Sequence, residues 1–295
     1  MALTVAKDIV VARALISAAK SIGKVIGLVP TMGSLHEGHL SLIDLAKKHA
    51  DFVVVSIFVN PTQFGPDEDF AQYPREFERD RLILESRQVD MIFAPEANEI
   101  YPGESHISFK INQLADHLCG AKRPGHFEGV LQVVSKLFNI TWPDIAVFGQ
   151  KDLQQLLLIK RLVREFDIPV EIVSAPVIRE STGLALSSRN AKLSSEFRDK
   201  SSVLFRALSV VQKLIEEGER DARFLIDECL KIINSVDGAQ LEYFEIVNLD
   251  TLQPMANLSG RIALAIAVSF GETRLIDNVV LEIEGESVRE LRAIN

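Results

Sequence analysis

The chain has 295 residues, room for one large domain or two modest ones, and its 47% hydrophobic and 25% charged content sets aside disordered and fibrous classes. A net charge of −9 argues against a nucleic-acid partner, no apolar run reaches the roughly 18 residues of a membrane span, and Cys119 and Cys229 are too few for a disulfide framework. The start of the chain, punctuated by Lys7, Asp8 and Arg13, lacks the layout of a signal peptide, so the expected location is the cytoplasm.

In chain order the pattern alternates. Val25 to Val29 reads as a strand, Leu35 to Lys48 as a helix and Phe52 to Val59 as a buried strand. Glu76 to Arg87 is helical, Val89 to Ala94 a strand and Phe127 to Asn139 a helix with apolar residues at helical spacing. Ile145 to Phe148, Leu153 to Glu165 and Pro169 to Ala175 continue as strand, helix and strand. Strands separated by helices imply crossovers, so the expected class is α/β, a Rossmann-like doubly wound parallel sheet. After Arg179 the order changes to two helices, Ser194 to Glu217 and Asp221 to Ile233, then three strands, Leu241 to Val247, Arg261 to Phe270 and Leu275 to Ile283. This predicts a second, smaller α+β domain, with domains at 1–184 and 185–295. The tail Ser287 to Asn295 is expected to be a short helix or a frayed end.

The most particular segment is PTMGSLHEGH, Pro30 to His39, directly after the first strand. A strand broken by Pro and Gly before a helix start aims free backbone N–H groups at an anion. Ser34 and Glu37 match a capping box that would start the helix at Leu35. His36 and His39 fall on one face of the first turn, and Gly38 leaves room for a phosphate to approach. These histidines are open to three readings. A zinc site lacks further ligands, a surface pair has no chemistry, and phosphate contact uses an imidazole N–H against developing charge. An anionic substrate on an acidic protein also requires a local basic island, for which Lys122, Arg123, Lys151, Arg179 and Arg189 are the candidates.

Other segments carry local signals of the same kind. Asn60 and Gln63 follow a buried strand at its C-terminal end, where open α/β sheets bind ligands, although Gln63 also reads as a plain turn residue. Lys151, in the turn Gly149-Gln150-Lys151-Asp152, opens a helix against the preference of the macrodipole, which suggests a compensating anion. Ser187-Ser188-Arg189 reads either as a solvated linker or as a phosphate clamp. Arg123 to His126 is a basic loop facing substrate, with His126 equally a helix-start residue, and Gln154 points a quarter-turn from Gln155. The tract Asp67-Glu68-Asp69 reads as a solvated loop, and Asp80 as a residue within reach of a magnesium ion.

The H-x-G-H string resembles the nucleotidyltransferase signature. Together with SIFVNPTQF (56–64), RPGHFEGV (123–130), FGQKDLQQ (148–155) and LSSRN (186–190), in that order, the chain resembles the pantoate–β-alanine ligase family over about residues 25–280. The resemblance implies ATP-dependent joining of (R)-pantoate to β-alanine through a pantoyl adenylate, releasing pyrophosphate and then AMP. It implies catalytic roles for His36, His39, Lys151 and Arg189. ATP contacts are implied at Met32, Gly33, Ser34, Leu35, His36, Glu37, Gly38, His39, Gly149, Gln150, Lys151, Asp152, Ile178, Leu186, Ser187, Ser188 and Arg189. Gln63 would contact pantoate and β-alanine, Gln155 pantoate, and Asn60 the same substrates. ATP as substrate, Mg²⁺ on its phosphates and a homodimer complete the expectation, with the magnesium ligands unassigned. The rival readings are an adenylyltransferase acting on a phosphorylated acceptor, which would not free AMP, and a nucleotide sensor without turnover.

Overall fold

The computed structural model describes residues 3–66 and 68–294. Its first lobe runs β1 (Thr4–Ala6), α1 (Ile9–Ser21), β2 (Ile26–Thr31), α2 (Glu37–His49), β3 (Phe52–Ile57), α3 (Phe77–Ser86) and β4 (Met91–Phe93). It continues through α4 (Ala97–Ile100), α5 (Leu118–Lys122), α6 (His126–Thr141), β5 (Ile145–Gly149), α7 (Leu153–Glu165) and β6 (Glu171–Ala175). The six strands form one parallel sheet in the order β1-β4-β3-β2-β5-β6. Side chains alternate across it, as a sheet covered on both faces requires. Ile26, Leu28 and Val54 pack with Ile16, Val134 and Ile159 of α1, α6 and α7. Val29, Val53 and Val55 pack on the other face with Leu40, Ile43 and Leu84 of α2 and α3. The chain leaves β2 for one face and β5 for the other, so a crevice opens between their C-terminal ends. This is the doubly wound sheet that the alternation predicts.

The second lobe begins with α8 (Ser195–Lys200), α9 (Val203–Glu216) and α10 (Ala222–Asn234). Four strands follow, β7 (Ala239–Asn248), β8 (Gly260–Phe270), β9 (Thr273–Glu284) and β10 (Ser287–Glu290), in an antiparallel sheet ordered β10-β9-β8-β7. Ile262, Leu264, Ile266 and Val268 of β8 face Leu204, Leu208, Leu225 and Ile233 of α9 and α10. Each fully buried aliphatic chain there contributes about 1.5–3 kcal/mol. The reverse face, with Ala263, Ala265 and Val280, joins the core of the first lobe.

Several elements depart from the sequence reading. The helix expected over Ser194 to Glu217 is two helices, broken where Ser201 and Ser202 turn their hydroxyls onto Arg198 O and Asp199 O. Hydroxyls that take nearby carbonyls compete with the helical ladder. β1 and α1 were hidden by Lys7, Asp8 and Arg13, which are exposed, while Ala12, Ile16 and Ala19 face the core and Asp8 caps α1 through Val11 N–H. The tail is neither helical nor frayed over its described residues. Ser287–Glu290 pairs with β9, and Leu291 N–H bonds Val280 O. It then returns to the first lobe, where Gln150 donates to Leu291 O and both Lys160 and Ser174 donate to Ile294 O. Asn295 lies outside the described residues.

Candidate active site

The loop after β2 is built by tertiary contacts. Thr31 Oγ1 donates to Ser56 O at 2.7 Å and accepts Gly33 N–H at 3.1 Å. Gly33 and Ser34 then take left-handed backbone angles, with φ of 81° and 52°. Buried Asp80 of α3 accepts the N–H groups of Ser34 at 2.7 Å and Leu35 at 2.9 Å. Burial pushes the Asp80 carboxyl upward, against the pull of those two amides and Arg79. Both of its oxygens are committed to shaping the loop, which corrects the magnesium reading.

The expected capping box at Ser34 and Glu37 also moves. The left-handed turn keeps Ser34 outside the helix, and α2 starts at Glu37 with His36 as its N-cap. His36 Nδ1 accepts Gly38 N–H at 3.1 Å, and His39 Nδ1 accepts His36 N–H at 3.4 Å. A Cβ at Gly38 would lie 2.8 Å from the His36 ring, so the missing side chain makes room for the imidazole. The two rings are 4.1 Å apart. Burial, joined by Lys151, lowers the pKa of His36 to about 4. Burial, His36 and Lys151 lower His39 to about 3. Both are therefore neutral at pH 7. With Nδ1 used as acceptor, each carries its proton on Nε2, so two N–H donors stand at a helix N-terminus without positive charge.

Across the crevice, β5 ends at Gly149 and a single 3₁₀ turn, Gln150–Asp152, carries Lys151. The Lys151 ammonium lies 3.8 Å from Asp152. Asn278 of β9 supports this turn from behind, donating to Gln150 O at 3.0 Å and Lys151 O at 2.9 Å.

Gln63 sits in the turn Pro61–Gln63 after β3. Its amide oxygen accepts from Asn60 at 3.0 Å and its nitrogen contacts Met32 sulfur at 3.3 Å. Asn60 is fully engaged, donating also to Gly129 O and accepting from Thr62 and from Tyr101 at 2.8 Å. A Cβ on Gly129 would meet Thr62 O at 2.2 Å, so only glycine lets α6 come this close to the turn. His126, the first residue of α6, bonds Gln63 O through Nδ1 at 2.8 Å and Arg123 through Nε2 at 2.9 Å. Burial and Arg123 lower its pKa to about 4. A neutral imidazole there donates from Nδ1 and accepts the guanidinium N–H at Nε2.

The remaining cations are already paired. Arg123 makes a two-pronged bond to Glu68 at 2.7 and 2.6 Å. Asp69 accepts from Arg189 at 3.1 Å and Lys192 at 2.6 Å. Glu68 and Asp69, read as a solvated loop, instead close over the clamp, and Asp67 lies outside the described residues. Arg179 is held by Asp277 at 2.5 and 3.0 Å, away from the cleft, and Lys122 is exposed. The basic island thus reduces to Arg123, Lys151 and Arg189, joined by Lys192.

A cleft of about 230 Å³ is lined by Met32, His36, Gly38, His39, Asn60, Gln63, Gly149, Lys151, Asp152, Gln155, Ile178, Leu186, Ser187, Ser188 and Arg189. Gly33, Ser34, Leu35, Glu37 and Gln150 do not line it. Leu35 is in the core, Glu37 reaches toward Arg87, and the Gln150 amide is turned to the tail. Gln154 is likewise turned away, bonding Gly120, Leu114 and His117. A larger cleft between the lobes, about 850 Å³, shares Arg123, His126, Lys151, Asp152, Gln155, Ser187 and Arg189 with the first. Among the described residues no group of three or more His, Cys, Asp or Glu is placed to hold a metal. Sequence reasoning missed Asp80 as loop builder, Glu68 and Asp69 as counter-ions, and Asn278. The signal for Asn278 was present, since Asp277-Asn278 is a polar pair between the apolar runs Leu275-Ile276 and Val279-Val280-Leu281.

A doubly wound sheet whose switch point opens onto a histidine-capped helix and a facing lysine defines an α/β protein with a site for an anionic ligand. Residues 4–280 match the family model described as pantoate-beta-alanine ligase. A pantothenate synthetase of Thermoanaerobacter sp. (strain X514) is 51% identical over 268 residues, covering 91% of this chain and 95% of that protein. One from Moorella thermoacetica is 51% identical over 277 residues, covering 94% and 98%. The crystal structure of pantothenate synthetase from Thermus thermophilus is similar with TM-score 0.88 and 41% identity, covering 93% of this chain and 98% of that one. The Francisella tularensis pantoate-beta-alanine ligase, complexed with beta-gamma ATP and beta-alanine, is similar with TM-score 0.74 and 36% identity, covering 94% and 97%. The chain belongs to the pantoate–β-alanine ligase family.

Proposed function

We propose that the chain condenses (R)-pantoate with β-alanine at the expense of ATP, passing through pantoyl adenylate. The observation that carries this reading is the convergence, in one cleft, of two uncharged histidine donors, Lys151, and the amides of Gln63 and Gln155. The pantoate carboxylate attacks the α-phosphorus of ATP and pyrophosphate leaves. The β-alanine amine then attacks the acyl carbon and AMP leaves. Among the described residues no metal cluster is built into the cleft. Mg²⁺ would come with the nucleotide, on its phosphates, where Asp152, a carboxylate lining both clefts, could meet it.

Bringing a carboxylate against a triphosphate makes charge stabilisation and alignment the main tasks. His36 and His39 donate Nε2–H to phosphate oxygens. Being neutral, they stabilise charge by hydrogen bonding. Lys151 supplies positive charge at the phosphates, and Ser187, Ser188 and Arg189 receive the departing pyrophosphate. Gln63 and Gln155 orient pantoate and then β-alanine without adding charge, while Asn60 acts on the substrates by holding Gln63. We assign the working form to a cytoplasmic homodimer on the family resemblance. Incubation with ATP and pantoate, with and without β-alanine, tests the reading. AMP release that requires β-alanine supports it, and AMP transfer to an acceptor without release would favour a plain adenylyltransferase.

A further inference from the structure

Lys151 stands on a turn of only three residues, with no side-chain cap of its own. What fixes that turn comes from the other lobe. Asn278 of β9 is buried and spends both N–H groups of its amide on Gln150 O and Lys151 O. Its own amide oxygen is buried without a partner among the described residues. A buried acceptor left unpaired is destabilising, so the position is occupied for its donors and not for polarity in general. Asp277, the preceding residue, grips Arg179 with both oxygens and also accepts Asn278 N–H at 2.7 Å. Arg179 in turn donates to Gly183 O and pairs through the Arg179–Ala185 bridge, just before Ser187. One dipeptide of the second lobe therefore bonds the lysine turn and, through Arg179, the stretch that leads to the serine–arginine segment.

We infer that Asn278 is a positioning residue for adenylation, holding the Gln150–Lys151 turn so that the ammonium meets the phosphates of the nucleotide. The inference rests on the proposed role of Lys151. It separates the two half-reactions, because the amine step on a preformed adenylate involves no triphosphate.

The test uses the full-length protein with Asn278→Ala, Asn278→Asp and Lys151→Ala. Pyrophosphate exchange dependent on pantoate reports adenylation, and β-alanine-dependent AMP release from supplied pantoyl adenylate reports the second half. Asn278→Ala is expected to slow adenylation by roughly 10- to 100-fold through misplacement of the turn, leaving the amine step within about twofold. Asn278→Asp keeps the volume but sets a carboxylate against two carbonyl oxygens, so its adenylation loss is expected to exceed that of Asn278→Ala. A role in packing alone predicts the reverse order and equal loss in both half-reactions, and either result overturns the inference. Should Asn278→Ala not fold, the near-isosteric Asn278→Asp still decides through its half-reaction ratio. If Lys151→Ala abolishes adenylation while the Asn278 variants retain it, the positioning role alone falls. If Lys151→Ala leaves adenylation at its normal rate, the phosphate role of the turn falls and the inference with it.

Discussion

The two walls of the cleft solve the same problem in opposite ways. The α2 wall offers donors without charge, because burial keeps His36 and His39 neutral. The facing wall offers charge that is already spoken for, with Glu68 on Arg123 and Asp69 on Arg189 and Lys192. Only Lys151 faces the cleft with a weak partner, Asp152 at 3.8 Å. A chain of net charge −9 must receive a polyanion, and this division shows how. On the proposed reading, the uncharged wall would give orientation at little desolvation cost, and the charged wall would exchange its own carboxylates for phosphate when the nucleotide arrives.

Removing a member of the uncharged wall should have the largest effect. His39→Ala is expected to lower the adenylation rate by roughly 10²- to 10⁴-fold, as read by pyrophosphate release in single turnovers, and near-normal release would remove its role. Arg189→Ala should cost on the order of 10-fold to 100-fold in the same assay, less because Lys192, which shares Asp69 with Arg189, remains. Asp69→Asn frees the charged wall. It is expected to tighten ATP binding by roughly two- to fivefold at low salt, the size of an exposed ion pair, with the gain fading as salt is added. Calorimetric titration showing weaker binding would mean that Asp69 organises the clamp and does not compete with phosphate.

A separate effect is on stability against pH. His36, His39 and His126 have folded pKa values of about 4, 3 and 4, below their usual 6.5. Between pH 6.5 and about 4 the unfolded chain binds protons that the folded chain refuses, so stability falls as the solution is acidified. Each such imidazole contributes a slope of at most about 1.4 kcal/mol per pH unit. Urea titrations should show that slope flatten in His36→Gln with His39→Asn, and an unchanged slope would place the acid sensitivity elsewhere.

Much of this arrangement was legible in the residues. The alternation of strands and helices gave the sheet, because a parallel sheet covered on both faces leaves periodic apolar runs. His36, Gly38 and His39 of the H-x-G-H turn and Gly149, Lys151 and Asp152 of the G-Q-K-D turn reach the cleft because the turns that carry them are contiguous in sequence. What stayed hidden depends on distant partners. The start of α2 is displaced by Asp80, 45 residues from Leu35, which holds the loop in a left-handed turn that no local pattern requires. Glu68 and Asp69 look like solvent-facing charge until the chain brings Arg123 and Arg189 to them, and Ser201 and Ser202 break a helix whose apolar spacing runs on regardless.

The returning tail has a mechanical consequence. The lobes are joined by the covalent crossing after β6 and again where Gln150, Lys160 and Ser174 hold Leu291 and Ile294. Sliding one lobe over the other would have to break these bonds together with those of Asn278 to Gln150 and Lys151, and uncover the core that Ala263, Ala265 and Val280 share with the first lobe.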